Sequence, residues 1–287
     1  MLKELKELWS YRELLYVMVQ RELRIRYKNS ALGVVWSFLN PIFQVLIMSL
    51  VFGIFMDIKV PNYTAYMLSA YLPFMFFQYS VLDAAQSILV QVPLIKKIYF
   101  PREILPLATV ISNFIHLLIG LLIFFAYMLI VYIRDPRVWP FQMTTLYLPI
   151  LLLFSLMLAM GSALIISALN TFFEDVKYIV NVVMQVMFYL CPIIYFEEQV
   201  ANNHLNIQSN WLLYKLYNLN PLAALSHGYR RILLAKTDVT VHGDTAKPLP
   251  MELVWKYLLV SGVVSFVVLV FGYWLFNRLK WKFVERP

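Results

Sequence analysis

Few side chains in this 287-residue chain are placed to make or break bonds. Its eight glycines form no phosphate loop ending in Gly-Lys-Ser/Thr, and no Gly-x-Ser-x-Gly elbow occurs. His116, His204, His227 and His242 lie far apart in sequence, so no paired-histidine metal motif is legible. The 16 acidic residues are scattered rather than clustered, which argues against general acid–base chemistry at one membrane face. The charge that does cluster is cationic: Arg21, Arg24, Arg26 and Lys28 stand immediately before the uncharged run Val34–Met56. Beside a membrane span such cations attract anionic lipid headgroups and hold their end in the cytoplasm. If the protein does energised work, the energy comes from another chain.

The elements that position these residues are read from hydropathy. The hydrophobic fraction is 61%, charged residues are 14% and mean hydropathy is +0.70, which places the chain among integral membrane proteins. Uncharged or nearly uncharged runs recur at Val34–Met56, Tyr66–Val90, Ile104–Ile133, Thr145–Leu169, Tyr178–Tyr195 and Tyr257–Phe276. Backbone desolvation in lipid makes helix the state expected for each. The fifth run is the shortest and ends at Cys191-Pro192, where a break or re-entrant piece is expected. Six spans put both termini on one side. In the short loops and ends, fifteen cations fall on that side against three (Lys59, Arg134 and Arg137) on the other, so both termini are expected in the cytoplasm. The net charge of +8 is thereby assigned to the membrane surface rather than to nucleic acid. Residues 1–33 contain no secretory signal pattern, and the lone Cys191 permits no internal disulfide.

Two segments outside the spans carry further expectations. Residues 1–33 repeat Leu2, Leu5, Leu8, Trp9, Leu15, Val19 and Leu23 at three- and four-residue spacing, as in an amphipathic helix on the membrane face or against another subunit. Residues 196–253 mix short apolar runs with polar punctuation and read as helices dipping part-way into the outer leaflet, one starting at Asn220-Pro221. Between spans two and three, Val92–Pro106 carries Lys96, Lys97, Ile98, Tyr99 and Phe100. This is either a short docking helix for a soluble partner or an interfacial turn with snorkelling lysines. Within the spans, Asp83 is expected in a structural ion pair and His116 in a hydrogen-bonded packing role, while Glu103 beside Arg102 is expected to pair locally or with a partner.

Several of these segments resemble the permeases of ABC-2 type transporters that export polysaccharides. The run Arg24–Pro41 is similar to the approach to span one in that family, and Leu94–Pro106 to the segment before span three. Phe172–Val176 resembles its short loop after span four, with Glu174 where a basic residue is more usual, and Asn220-Pro221 with Tyr229-Arg230 resembles its outer segment. The resemblance covers essentially the whole chain. It implies an all-α integral membrane protein with six transmembrane helices: a cytoplasmic amphipathic interface helix over residues 1–33, then a transmembrane domain over 34–287. Within that domain it implies a cytoplasmic coupling helix at 91–103 and re-entrant outer gate helices at 196–253. It further implies a homodimer working with two copies of a separate ATP-binding subunit, which carries ATP and Mg, in the bacterial inner membrane. The implied substrate is a lipid-linked polymer, O-antigen first, with capsule or wall teichoic acid as alternatives. No cofactor and no catalytic residue are expected in this chain.

The resemblance assigns the coupling role, and the chemistry of the substrate it implies suggests two further sets of residues. Coupling to the ATPase falls to Val92, Leu94, Ile95, Lys96, Lys97, Ile98, Tyr99, Phe100, Arg102 and Glu103. A lipid phosphate would be met by Arg21, Arg24, Arg26 and Lys28 through charge-assisted hydrogen bonds, although orientation in the membrane alone would also explain them. A sugar polymer in hydrocarbon would strand its hydroxyls, so an enclosed path is needed. Trp36, Asn40, Phe43 and Gln44 in span one, with Asn181, Gln185, Phe188 and Tyr189 in span five, offer rings for sugar faces and amides for hydroxyls. Interhelical contacts and headgroup belts would use the same residue types. The rival classes are a membrane glycosyl- or acyltransferase, which needs clustered acids or histidines, and a passive channel or secondary transporter, which needs buried charge and inverted repeats.

Overall fold

The computed structural model describes residues 2–27, 36–52, 62–134, 141–195, 197, 200, 212–234, 237–239, 247–249 and 254–281. Along the chain these form helices α1 (Leu2–Ser10), α2 (Arg12–Tyr27), α3 (Trp36–Leu50), α4 (Tyr63–Val90), α5 (Val92–Ile95) and α6 (Ile104–Arg134). A 3-10 turn at Met143–Tyr147 leads into α7 (Leu148–Phe172), followed by α8 (Val176–Leu190), α9 (Leu212–Asn218) and α10 (Pro221–Leu233). Strands β1 (Thr237–Val239) and β2 (Lys247–Leu249) precede α11 (Trp255–Leu279).

Three helices are long and apolar enough to cross a membrane: α6, the continuous Met143–Phe172 unit, and α11. They coincide with the third, fourth and sixth expected spans. The other three expected spans do not reach that standard among the described residues. The apolar part of α3 is Leu39–Leu50, and α8 is Val176–Leu190. Helix α8 stops because Cys191, preceding Pro192, turns to extended backbone at φ −85° and ψ 145°, as a residue before proline prefers. Helix α4 has ample length at 28 residues, but its tyrosines, serines and glutamines and Asp83 dilute its hydropathy.

The order of packing follows from small residues. Helices α7 and α11 touch backbone to backbone: a Cβ on Gly272 would lie 2.4 Å from the Gly161 carbonyl oxygen, and one on Gly161 would lie 2.5 Å from the Val268 carbonyl carbon. Only glycine permits that approach, the usual device for tight helix pairs in lipid. Helix α4 packs on the other side of α7 and on α6, so that Phe74, Phe124, Leu151 and Leu158 share one core. Helix α2 lies along α6, burying Met18 and Val19 beside Ile104 and Ala108. The N-terminal segment is thus two helices joined at Tyr11, with Trp9 and Tyr16 facing outward; residues 28–33 lie outside the described residues.

Both described ends of the chain meet at one end of the bundle. Leu8 and Leu279 pack around Leu164, Tyr273 and Phe276, and the Arg102 guanidinium donates to the Lys280 carbonyl at 2.5 Å.

At the opposite end every residue of α10 from Leu222 to Leu233 is buried, wedged among α4, α7 and α11. Gly228 makes this possible, because a Cβ there would stand 2.7 Å from Leu151 and Leu258 side chains. Its start is as expected, with Pro221 in the first turn and Asn220 Oδ1 accepting from the Leu222 N–H at 3.1 Å. The all-α description has one exception, a short antiparallel pair with Asp238 opposite Pro248.

Candidate functional site

The segment between α4 and α6 is built as an exposed tip on a buried root. Helix α5 is a single turn, and the chain then bends through Lys96–Ile98. Lys96, Lys97, Ile98 and Tyr99 are exposed, Tyr99 to 71%, while Val92, Leu94 and Ile95 are half-buried. Phe100 and Glu103 are buried and belong to the root. Glu103 Oε1 lies 3.4 Å from Lys280 Nζ, so it pairs within the chain as one of the sequence alternatives had it. Tyr99 reaches back to Glu7 of α1 at 3.4 Å, and the Glu7 carboxylate raises the Tyr99 hydroxyl above its ordinary pKa. Four apolar or cationic side chains, tied to α1, α6 and the end of α11, therefore face outward from one short loop. That geometry leaves a compact exposed surface on which a partner chain can dock.

Next to it, Arg26 closes α2 onto the bundle. Its guanidinium donates to Asp83 Oδ2 at 2.6 Å and to Asn113 Oδ1 at 2.8 Å, while Asn113 Nδ2 donates to the same Asp83 oxygen at 3.1 Å. The structural ion pair expected for Asp83 is this one. Of the other expected phosphate-binding cations, Arg24 is exposed, Arg21 lies against Met18, and Lys28 is outside the described residues. Burial lifts the Glu22 carboxyl above its usual range, with Asp83 adding to the rise and Arg21 and Arg26 opposing it. His116 lines the cavity that opens beyond Arg26.

The ring-and-amide set of α3 and α8 is exposed and meets at one residue. Trp36, Asn40, Phe43 and Gln44 are exposed on α3, and Asn181, Gln185 and Tyr189 are exposed on α8; Phe188 is half-buried. Tyr71 of α4, fully buried, donates to Gln44 Oε1 at 2.6 Å and packs edge-on against Phe188 at 6.2 Å between ring centroids. A second edge contact joins Phe188 to Phe74 at 5.7 Å. Tyr71 thus touches one residue from each of two helices that otherwise make few contacts with one another.

The far end holds a buried polar knot that sequence reasoning did not single out. The Glu197 carboxylate receives Arg231 and Tyr214, and lies 2.9 Å from His227 Nδ1. Burial raises the Glu197 carboxyl, but His227, Arg231 and Tyr214 outweigh it and hold it well below the usual carboxylate range. Burial keeps His227 below the ordinary imidazole range, against the pull of Glu197. His227 thus turns Nδ1 to the carboxylate, while its Nε2 meets no hydrogen-bond partner among the described residues. Arg230 lies 3.8 Å over the Tyr66 ring and donates to the carbonyls of Tyr66 at 3.2 Å and Ile193 at 2.6 Å. The signal was available: Ser226-His227-Gly228-Tyr229-Arg230-Arg231 is too polar for a lipid-facing helix, so its charges had to find partners inside the protein. Among the described residues no group of His, Cys, Asp or Glu is arranged to hold a metal ion.

Comparison with known proteins agrees with these features. The profile of the ABC-2 type transporter family matches residues 13–234. The chain is 26% identical over 273 residues, 95% of its length and 94% of the relative's, to an O-antigen export system permease protein RfbA of Klebsiella pneumoniae. It is 31% identical over 232 residues, 81% of its length and 84% of the relative's, to the protein of that name from Myxococcus xanthus. With a match over most of its length, the chain belongs to the ABC-2 type transporter family.

Proposed function

We propose that this chain is the membrane-spanning permease subunit of an ATP-driven exporter that moves lipid-linked polysaccharide, O-antigen first, across the bacterial inner membrane. The observation that carries the reading is alignment along nearly the whole chain with permeases named for O-antigen export from two bacterial genera. Capsule or teichoic acid export by the same machinery is an outcome that the test below distinguishes.

In this reading α3, α4 and α8 are the remaining spans, giving six, and both termini are cytoplasmic. Helix α4 supports this by length, since 28 residues reach about 42 Å at ~1.5 Å per residue. A single bundle whose core is filled with side chains has no room for a polymer, so two copies pair and enclose the path between them. The exposed faces of α3 and α8 are the walls offered to it, with Trp36, Asn40, Phe43, Gln44, Asn181, Gln185 and Tyr189 lining the way. Helices α9 and α10 stand as the outer gate, held by the Glu197 knot.

Two ATP-binding subunits bind nucleotide and Mg and press on Lys96, Lys97, Ile98 and Tyr99. Because the root of that loop is tied to the C-terminal end of α11 by Arg102 and Glu103, its displacement moves α6 and α11 together. The chain does no bond chemistry of its own. Removing the gene from its host should leave lipid-linked polymer inside the cell and none at the surface, with restoration by the intact gene. Normal surface polymer of every class in the deletion strain would overturn the reading.

A further inference from the structure

Two cavities of different character meet at a single ion pair. One, of about 600 Å³, is mixed: Glu22, Gln86, Gln91, Lys177 and Asn181 share its walls with Ile25, Leu82 and Val90, and it is the more polar of the two. The other, of about 860 Å³, runs between α3, α4 and α6 and is lined chiefly by apolar groups such as Leu68, Leu72, Phe76, Leu117 and Phe124. Arg26 and Asp83 belong to the walls of both. The apolar cavity also touches Thr64, near the opposite end of α4 from Asp83; along one helix these lie roughly 28 Å apart at ~1.5 Å per residue, close to the hydrocarbon thickness of a bilayer. Its volume falls within the range of well-formed ligand pockets.

We propose that this groove is a binding site within one subunit for a lipid whose head carries two negative charges on phosphate or diphosphate, the hydrocarbon chain lying between α3, α4 and α6 and the head reaching the more polar recess. This deepens the proposed function and rests on it for the physiological ligand, the carrier lipid of the exported polymer. Asp83 is then the resident counter-anion, which the phosphate displaces from Arg26. The charge balance selects the head. In the unliganded pair Arg26 is already neutralised by a carboxylate at 2.6 Å and steadied by Asn113 at 2.8 Å. A phosphodiester with one charge gains little by replacing it. A phosphate monoester brings up to two charges, and a diphosphate joining lipid to sugar also keeps two, one on each phosphorus; Lys177 on the recess wall supplies a second cation. Asp83 thus acts as a selectivity filter, rejecting bulk phospholipid and yielding to the more highly charged head.

The test is direct binding to the full-length protein in nanodiscs, with no ATPase and no glycan present, using geranylgeranyl phosphate as probe. Geranylgeraniol serves as the uncharged control and phosphatidylglycerol as the diester competitor. Asp83→Asn, which frees Arg26, is expected to tighten phosphate binding roughly tenfold, and Arg26→Gln to weaken it by a similar factor. Both variants are expected to bind geranylgeraniol as the parent does, which also reports that the groove is intact. Leu72→Trp, which fills the groove, should weaken both probes. The proposal is overturned if Asp83→Asn weakens binding as Arg26→Gln does, if phosphatidylglycerol competes equally with the probe, or if the parent binds no probe. Loss of the export reading in the deletion experiment would leave these binding results standing, so the two failures are separable.

Discussion

Tyr71 donates its hydroxyl to Gln44 at 2.6 Å from a position with 1% of its surface exposed, and its ring edge meets Phe188. One buried tyrosine of α4 therefore links α3 and α8, the two helices proposed to wall the polymer's path. Tyr71→Phe keeps the ring contact and removes the hydrogen bond. The expected cost in stability is small, about 1 kcal/mol, and the expected loss in polymer export is larger than that cost implies, because Gln44 loses its orientation. Thermal unfolding in detergent and surface polymer measured on the same variant check the two parts. Equal loss in both would reduce Tyr71 to a packing residue.

The exposed tip and buried root of the α4–α6 connection should separate cleanly. Ile98→Asp and Tyr99→Ala are expected to leave the thermal midpoint unchanged while uncoupling the ATP-binding partner. Phe100→Ala, which empties a 4%-exposed site, should instead cost about 3 kcal/mol and lower expression. Co-purification with the partner and thermal unfolding, measured side by side, distinguish the classes.

Backbone contact between α7 and α11 predicts severe intolerance at two positions. Gly161→Val and Gly272→Val each put a branched side chain where a Cβ alone already meets backbone, so both are expected to destabilise by about 3 kcal/mol or to abolish accumulation. Gly120→Ala is the contrast. Its Cβ would meet only the Leu72 side chain at 3.3 Å, and near-parental stability is expected.

The polar knot makes stability pH-dependent with a defined sign. His227 is held below its ordinary value of 6.5, so below that pH the unfolded chain takes a proton which the folded chain refuses. Stability is then full above about pH 7 and falls as pH drops towards 5, by at most about 1.4 kcal/mol per pH unit for this one proton. Glu197, Arg230 and Arg231 act on the ring and Tyr217 packs beside it, and the two cations add to the penalty for charging it. Glu197 acts lower: with its carboxyl held down, its contribution is present above pH 4.5 and is lost only as pH falls towards 2. Thermal midpoints between pH 7.5 and 5.5 should drop for the parent and flatten for His227→Gln. A parent midpoint independent of pH would contradict the neutral, buried ring.

How much of this could be read from residue order varies with the kind of interaction. The helices at 104–134, 148–172 and 255–279 were legible because hydropathy acts over a whole segment and needs no knowledge of neighbours. The start of α10 was legible too, since Asn220-Pro221 is a local cap. The burial of α10 was not, because it depends on Gly228 meeting Leu151 and Leu258, which are distant in sequence. Asp83 was recognised as needing a cation, but Arg26 is its partner only because α2 folds back along α6, and charge counting cannot see that approach. Phe100 and Glu103 show the same limit within a motif: adjacent to exposed Tyr99, they turn inward because the loop is rooted on Lys280.

The central claim, a passageway without its own motor, is tested most directly by reconstitution into proteoliposomes with and without the ATP-binding subunit, following lipid-linked polysaccharide across the bilayer. Translocation is expected only when partner and ATP are both present, and Ile98→Asp should abolish it while leaving the protein folded. Nucleotide hydrolysis or polymer translocation by this chain alone would contradict the account.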